Sequence, residues 1–163
     1  MPQTPPASPA CADSRPTLEQ LVKANINPAT GLATDYLNHF NEAIMLLDLA
    51  AMLPECLSDL MSWRPVTYQE HFASSSFKDR DLAIASYQAA EPAARAELER
   101  LANAMTEILL ATRSAMAAEG GTVESTEEAS TAAAQLRVLV SQAGAVINGG
   151  ADDQVLVDAL FEH

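Results

Sequence analysis

The residues best suited to chemistry in this sequence are two pairs, each of which joins a histidine to a glutamate. His39 and Glu42 stand three residues apart in the segment DYLNHFNEAIMLLDLAAML, and Glu70 directly precedes His71. Residues three positions apart on a helix lie on one face, so His39 and Glu42 could both reach one ion. If folding brings the second pair close, the four side chains would form a metal-binding or small-molecule site.

The order of these residues differs from that of carboxylate-bridged metal bundles. Such bundles take Glu-x-x-His from each of two helices and a glutamate from each of two others, whereas this chain has the reversed order, His-x-x-Glu, once. Asp35, one turn before His39, is a further candidate ligand. A histidine on the flank of an apolar helix more often serves in packing. The leading interpretation therefore gives His39 a structural role and expects no cofactor.

The other reactive side chains do not assemble into a catalytic motif. The two cysteines, Cys11 and Cys56, lack the C-x-x-C spacing of zinc or redox sites, and Cys56 is expected to pack as a small hydrophobe. The serine run at 74–76 is expected to cap a helix, and His163 is expected to be frayed. The nucleophile-elbow pattern and the glycine-rich phosphate loops do not occur in the sequence. The protein is therefore expected not to be an enzyme.

Aromatic side chains crowd one short connector in a chain that has only 5% aromatic residues. They could line a ligand pocket, but a connector that folds over one end of a bundle needs the same residues. The packing role is the favoured interpretation. The side chains of this segment are Trp63, Tyr68, His71, Phe72 and Phe77.

The charge of the chain argues against two classes of partner. The net charge is −13, from 22 acidic and 9 basic residues, and the basic residues are scattered. Nucleic acids and anionic membranes bind clusters of Lys and Arg, so neither is an expected partner. The first 16 residues have neither the charged start nor the apolar block of a signal peptide, and no run of about 18 apolar residues occurs. We expect a cytoplasmic protein.

Composition predicts an all-α fold. Alanine dominates the hydrophobic residues, which make up 48% of the chain, and no long run is rich in β-formers. Residues 1–16 are rich in proline and predict a disordered arm, and residues 17–163 predict one helical-bundle domain. This bundle is expected to be irregular, with three to four long helices plus short helices. Capping and breaking signals place helix starts at Thr17, Pro54, Thr67, Pro92 and Ser125, and a last short helix over 152–163.

The helix that follows His39 is apolar on nearly every side. Asp48 is the only polar residue between Glu42 and Leu53, and the large side chains cover more sides than one neighbouring helix can bury. The helix should therefore be the central one of the bundle or lie at a subunit interface. The leading hypothesis is a non-enzymatic module that binds a protein partner, including a copy of itself as a homodimer. The alternative is a metal-binding or small-molecule bundle, conceivably an enzyme, that uses the four residues His39, Glu42, Glu70 and His71.

Overall fold

The computed structural model describes residues 16–119 and 122–149, and within these ranges the fold is all-α, as predicted. The described part contains seven α-helices, two 3₁₀ turns and a single antiparallel bridge between Ile26 and Ala33. The predicted arm, apart from Pro16, and the predicted helix at 152–163 lie outside the described residues. The helices are α1 (Leu18–Lys23), α2 (Leu37–Met52), α3 (Leu57–Ser62), α4 (Tyr68–Ser74), α5 (Arg80–Gln88), α6 (Pro92–Glu119) and α7 (Val123–Ile147), and the 3₁₀ turns are Thr34–Tyr36 and Pro54–Cys56.

Three long helices, α2, α6 and α7, form the frame of the bundle. Helix α7 packs along both α6 and α2, which hardly touch each other. The buried side of α7 is rich in alanine, which lets neighbouring helices approach closely, while leucines fill the facing side of α6. Among the short helices, α3 packs on α2, and α4 packs on both α5 and the 3₁₀ turn that precedes α2.

Local sequence signals explain most of the helix boundaries. The predicted capping boxes are present at Thr17 and Thr67, where each hydroxyl accepts from the backbone N–H three residues later. Pro54 opens the first 3₁₀ turn after α2. The predicted start at Ser125 is wrong, because α7 begins at Val123 and its N-cap is Thr122.

A tight turn between α1 and α2 contacts both α5 and the end of α7. Gly31 has φ +78°, and a Cβ there would lie 3.0 Å from the carbonyl oxygen of Ser86. Thr30 Oγ1 donates a hydrogen bond of 2.6 Å to the carbonyl oxygen of Ile147 at the end of α7. The turn therefore fixes where α2 begins relative to α5 and α7.

Helix α2 is covered on one side only, so it is not the enclosed central helix of the bundle. Its buried side faces α7, and its opposite side exposes Met45 by 55% and Met52 by 78%. Helix α7, which packs on two long neighbours, takes the central place. The buried residues of α2 are Leu37, Phe40, Ala43, Ile44, Leu47 and Ala50.

Candidate functional site

The first candidate site is a group of aromatic rings around the start of α2, which we call the aromatic cluster. His39 stacks on Trp63, with 4.6 Å between ring centroids and 24° between planes. His71 of α4 approaches the same group, and its centroid lies 6.1 Å from that of His39 and 5.7 Å from that of Tyr36. The cluster comprises Tyr36, His39, Phe40, Trp63, Tyr68, His71 and Phe72.

Hydrogen bonds hold the connector between α3 and α4 over this cluster. Trp63 Nε1 donates to the carbonyl oxygen of His39 at 3.2 Å, and Arg113 of α6 donates to the carbonyl oxygen of Trp63 at 2.6 Å. Tyr36 donates its hydroxyl proton to the carbonyl oxygen of Val66 at 2.9 Å. The indole of Trp63 is buried between these partners, as the packing interpretation of the aromatic segment predicts.

The structure brings together the two histidines of the predicted site but not the two glutamates. Glu70 Oε2 accepts from the backbone N–H of Thr67 at 3.0 Å and so serves the capping box of α4. Glu42 is exposed on α2. Within residues 16–119 and 122–149, no three side chains among His, Cys, Asp and Glu are grouped so that they could hold a metal ion. The four-ligand metal site therefore stays a prediction, for which the structure supplies the pairing of His39 and His71 alone.

Burial lowers the pKa of both imidazoles and so favours their neutral form. Desolvation lowers the pKa of His39, and the proximity of His71 lowers it further, while the backbone of Arg64 and the charge of Glu42 oppose the shift. Desolvation also lowers the pKa of His71, against the charge and the backbone of Asp35. Protonating either ring would place a cation among aromatic side chains that have little access to water.

One nitrogen of His39 is buried without a partner. Nε2 has no hydrogen bond to any described residue. A neutral imidazole carries its proton on one nitrogen only, so the unpaired atom can be the bare lone pair, which costs less than an orphaned N–H. This arrangement fits a packed, neutral imidazole, and it would also leave a free lone pair for a ligand.

An open cleft of about 320 Å³ lies beside His71, between the start of α2 and the end of α4. Its polar wall includes Asp35 and Ser75. Ser75 Oγ donates to the carbonyl oxygen of Phe72 at 2.9 Å and accepts from the N–H of Phe77 at 3.3 Å, so its hydroxyl is engaged with backbone. The serine run caps a helix, as expected, because Ser75 is the C-cap of α4.

The second candidate site is the exposed side of α2, which we call the methionine face. It consists of Met45, Leu49 and Met52, spaced by four and three residues, and continues into Leu53. All four are exposed in the described chain, and such a contiguous apolar surface typically marks a binding region. The sequence indicated that α2 carries too many apolar residues for one neighbour, but not which of them stay uncovered.

Acidic side chains border the methionine face. At about 100° per residue, Glu42 and Asp48 lie on opposite sides of the stripe formed by Met45, Leu49 and Met52. Asp48 is paired with Arg137 of α7. The sequence has no lysine or arginine between Lys23 and Arg64, whereas it has five acidic residues in that span. This stretch without basic residues contains the methionine face, and it is the sequence signal that could have indicated which part of the chain stays exposed.

Known proteins offer no functional guide to this chain. No family model, curated protein or solved structure matches it. Among the helices of the described ranges, none is both long and apolar enough to cross a membrane. The aromatic cluster and the methionine face are thus the features from which a function can be inferred.

Proposed function

We propose that this protein is a non-enzymatic, cytoplasmic protein-binding module whose methionine face takes an amphipathic helix of another protein. The observation that carries the proposal is the exposure of Met45 and Met52 on a side of α2 that itself carries no Lys or Arg, with Glu42 exposed at one border and Asp48, paired with Arg137, at the other. Helix-in-groove recognition uses such a face, with apolar anchors spaced by three and four residues.

The chemistry of the face suits a helix with leucine-like anchors. Burying one large apolar side chain contributes about 1.5 to 3 kcal/mol, and the face offers four of them. Methionine has three flexible torsions and a polarisable sulfur, so Met45 and Met52 can adapt to side chains of different shape. The face is therefore better suited to apolar packing than to recognition of a polar ligand.

The charge around the face favours a partner with lysine and arginine beside its apolar residues. Glu42 would lie opposite those cations, whereas Asp48 is already paired with Arg137, and the net charge of −13 would accelerate the encounter. A second copy of this chain would instead bring the same acidic border against itself. Self-association remains a prediction from the sequence, and it is one outcome of the experiment below.

A second candidate function rests on the histidine pair. The 6.1 Å separation of the His39 and His71 rings, with the unpaired Nε2 of His39, favours a small-molecule or metal site at the aromatic cluster. Glu42 and Glu70 would have to leave their present positions to join it. The methionine face needs no such rearrangement and is the preferred site.

A model peptide of leucine and lysine, with leucines along one helical face, tests the proposal directly. Its affinity for the full chain is measured by fluorescence anisotropy of a dye on the peptide. We expect the Met45→Ser, Met52→Ser variant to bind about tenfold more weakly or worse, because central apolar anchors dominate such interfaces. The matched control is Val138→Ser, which removes an apolar side chain that is 57% exposed on α7.

Two controls separate the possible occupants. A peptide with glutamate in place of lysine should bind far more weakly than the lysine peptide, because it would meet the acidic border. Equal losses in the methionine variant and in Val138→Ser would overturn the proposal. Sedimentation equilibrium of the protein alone, at low and moderate salt, then tests for dimers. A dimer that the Met45→Ser, Met52→Ser change dissociates would make a second copy the occupant and refute the choice of a basic helix.

A further inference from the structure

A second apolar surface, on α1, lacks cover within the described chain. Leu18 is 67% exposed and Val22 is 62% exposed, although the capping box holds α1 in place and Leu21 packs onto the core. Because α1 is only six residues long, propensity alone would not maintain it in water. A short helix with its two largest exposed side chains on one side is expected to have a partner.

A groove of about 200 Å³ connects this surface with the end of α7. Val22 and Pro28 line one part of it, and Ile147 and Asn148 line the other. The described chain leaves α7 at this point, because Gly149 has φ +99° and its N–H bonds back to the carbonyl oxygen of Val146. Asn148 lines the groove, and Gly149 lines a neighbouring cleft with Glu91, so residues 150–163 continue the chain from a point between the two.

The sequence of that segment is amphipathic. At helical spacing Val155, Leu156, Ala159 and Leu160 fall on one side, and acidic residues fall at the start. Residues 152–163 would span about 18 Å as a helix, and α1 spans about 9 Å, so the segment is long enough to cross it. A segment with an amphipathic sequence thus follows the end of α7, near the exposed apolar side chains of α1.

We propose that residues 152–163 fold back as a helix over α1 and the groove, and bury Leu18 and Val22 under Leu156 and Leu160. The start of the segment carries two aspartates, at positions 152 and 153, and Lys23 ends α1 next to the groove. This complementarity of charge favours an orientation in which the start of the segment lies near Lys23. The site is separate from the methionine face and does not depend on the function proposed for it.

The test uses the full chain with two paired changes, Leu18→Ser with Val22→Ser on α1, and Leu156→Ser with Leu160→Ser in the segment. Hydrogen exchange of the α1 amides and the thermal midpoint are measured for each pair and for both together. We expect the segment pair to speed exchange in α1 and to lower the midpoint. The combined variant should lose less than the sum of the two losses, because both pairs remove one contact.

The control variant is Val138→Ser on α7. Its loss in thermal midpoint should add to that of the segment pair, because Val138 lies neither on α1 nor in the lining of the groove. Exchange in α1 that is unchanged by the segment pair would overturn the proposal, and so would fully additive losses. A coupling that appears only at the upper end of about a hundredfold concentration range would place the segment on a second copy and would also overturn it.

Discussion

The substitution Tyr68→Phe tests how the start of α2 is held in register with the aromatic cluster. Tyr68 is buried, and its hydroxyl accepts a 2.9 Å hydrogen bond from the backbone N–H of Ala33, just before the 3₁₀ turn that opens α2. Phenylalanine keeps the ring stacked on Tyr87 but leaves the N–H of Ala33 unpaired, at a residue with no exposed surface. A buried unpaired donor costs about 1 to 3 kcal/mol.

The matched comparison is Tyr36→Phe, which also removes one hydroxyl from the cluster. Tyr36 donates to the carbonyl oxygen of Val66 in a partly buried position, and a carbonyl has a second lone pair that water can reach. We expect about 0.5 to 1.5 kcal/mol for this loss. For a chain of this length each kcal/mol lowers the melting temperature by about 2 to 4 °C, so Tyr68→Phe should melt several degrees below Tyr36→Phe.

Differential scanning calorimetry on both variants and the wild type provides the measurement, with urea unfolding as a second readout of the free energy of unfolding. Both variants must retain the helical circular dichroism of the wild type for the comparison to hold. If Tyr68→Phe is as stable as Tyr36→Phe or more so, the N–H of Ala33 finds another acceptor. The hydroxyl of Tyr68 would then not be what fixes the entry into α2.

Four further outcomes are expected. Trp63 is the only tryptophan of the sequence and stacks on His39. Its fluorescence should therefore change as the pH falls below about 6.5 and His39 gains a proton. The substitution His39→Gln should abolish that change. Because burial lowers the pKa of both His39 and His71, their contribution to stability is complete above about 6.5 and should be lost as the pH falls through the lowered folded-state values, as pH-dependent urea unfolding would show. Added zinc should leave the melting temperature unchanged. A zinc ion that bound the native state would instead add about 2.7 kcal/mol of stability at a hundredfold excess over its dissociation constant. A rise in melting temperature that His39→Ala removes would establish the metal site. Gly31→Ala should destabilise the protein, by roughly 1 to 3 kcal/mol from backbone conformation alone, whereas Ala29→Gly in the same turn provides the mild control in thermal melts.

Sequence signals that act within one helical turn were sufficient to predict most of the helix starts. The capping boxes at Thr17 and Thr67 involve partners three residues apart, and both are present. The start of α7 was misplaced because Thr122 and Ser125 are both good caps, and the choice depends on burial of Ser125 in the bundle. Composition alone was enough for the all-α class.

Relations between distant segments could not be predicted. The stacking of His39 on Trp63, which stand 24 positions apart in the sequence, depends on the path of the chain between them, which the hydrogen bond from Arg113 of α6 helps to fix. Likewise, the apolar pattern of α2 predicted an excess of surface to cover, but only the positions of α6 and α7 decide that Met45 and Met52 remain outside. The role of Glu70 in the capping box of α4, by contrast, could be predicted from the sequence alone. The hydrogen bond that its carboxylate accepts from the backbone N–H of Thr67 competes with the binding of a metal ion.

Exposure ranks the methionines of this protein by their susceptibility to oxidation. Met52 and Met45 present their sulfur-bearing side chains to solvent on α2, whereas Met105 and Met116 are buried in the bundle. Peroxide would therefore convert the surface methionines to sulfoxides first, and each sulfoxide adds a polar oxygen to a side chain that had none. The helical core would be spared while the surface of α2 lost its apolar character. Since methionine sulfoxide reductases reverse this change, the same surface could be restored without unfolding the protein.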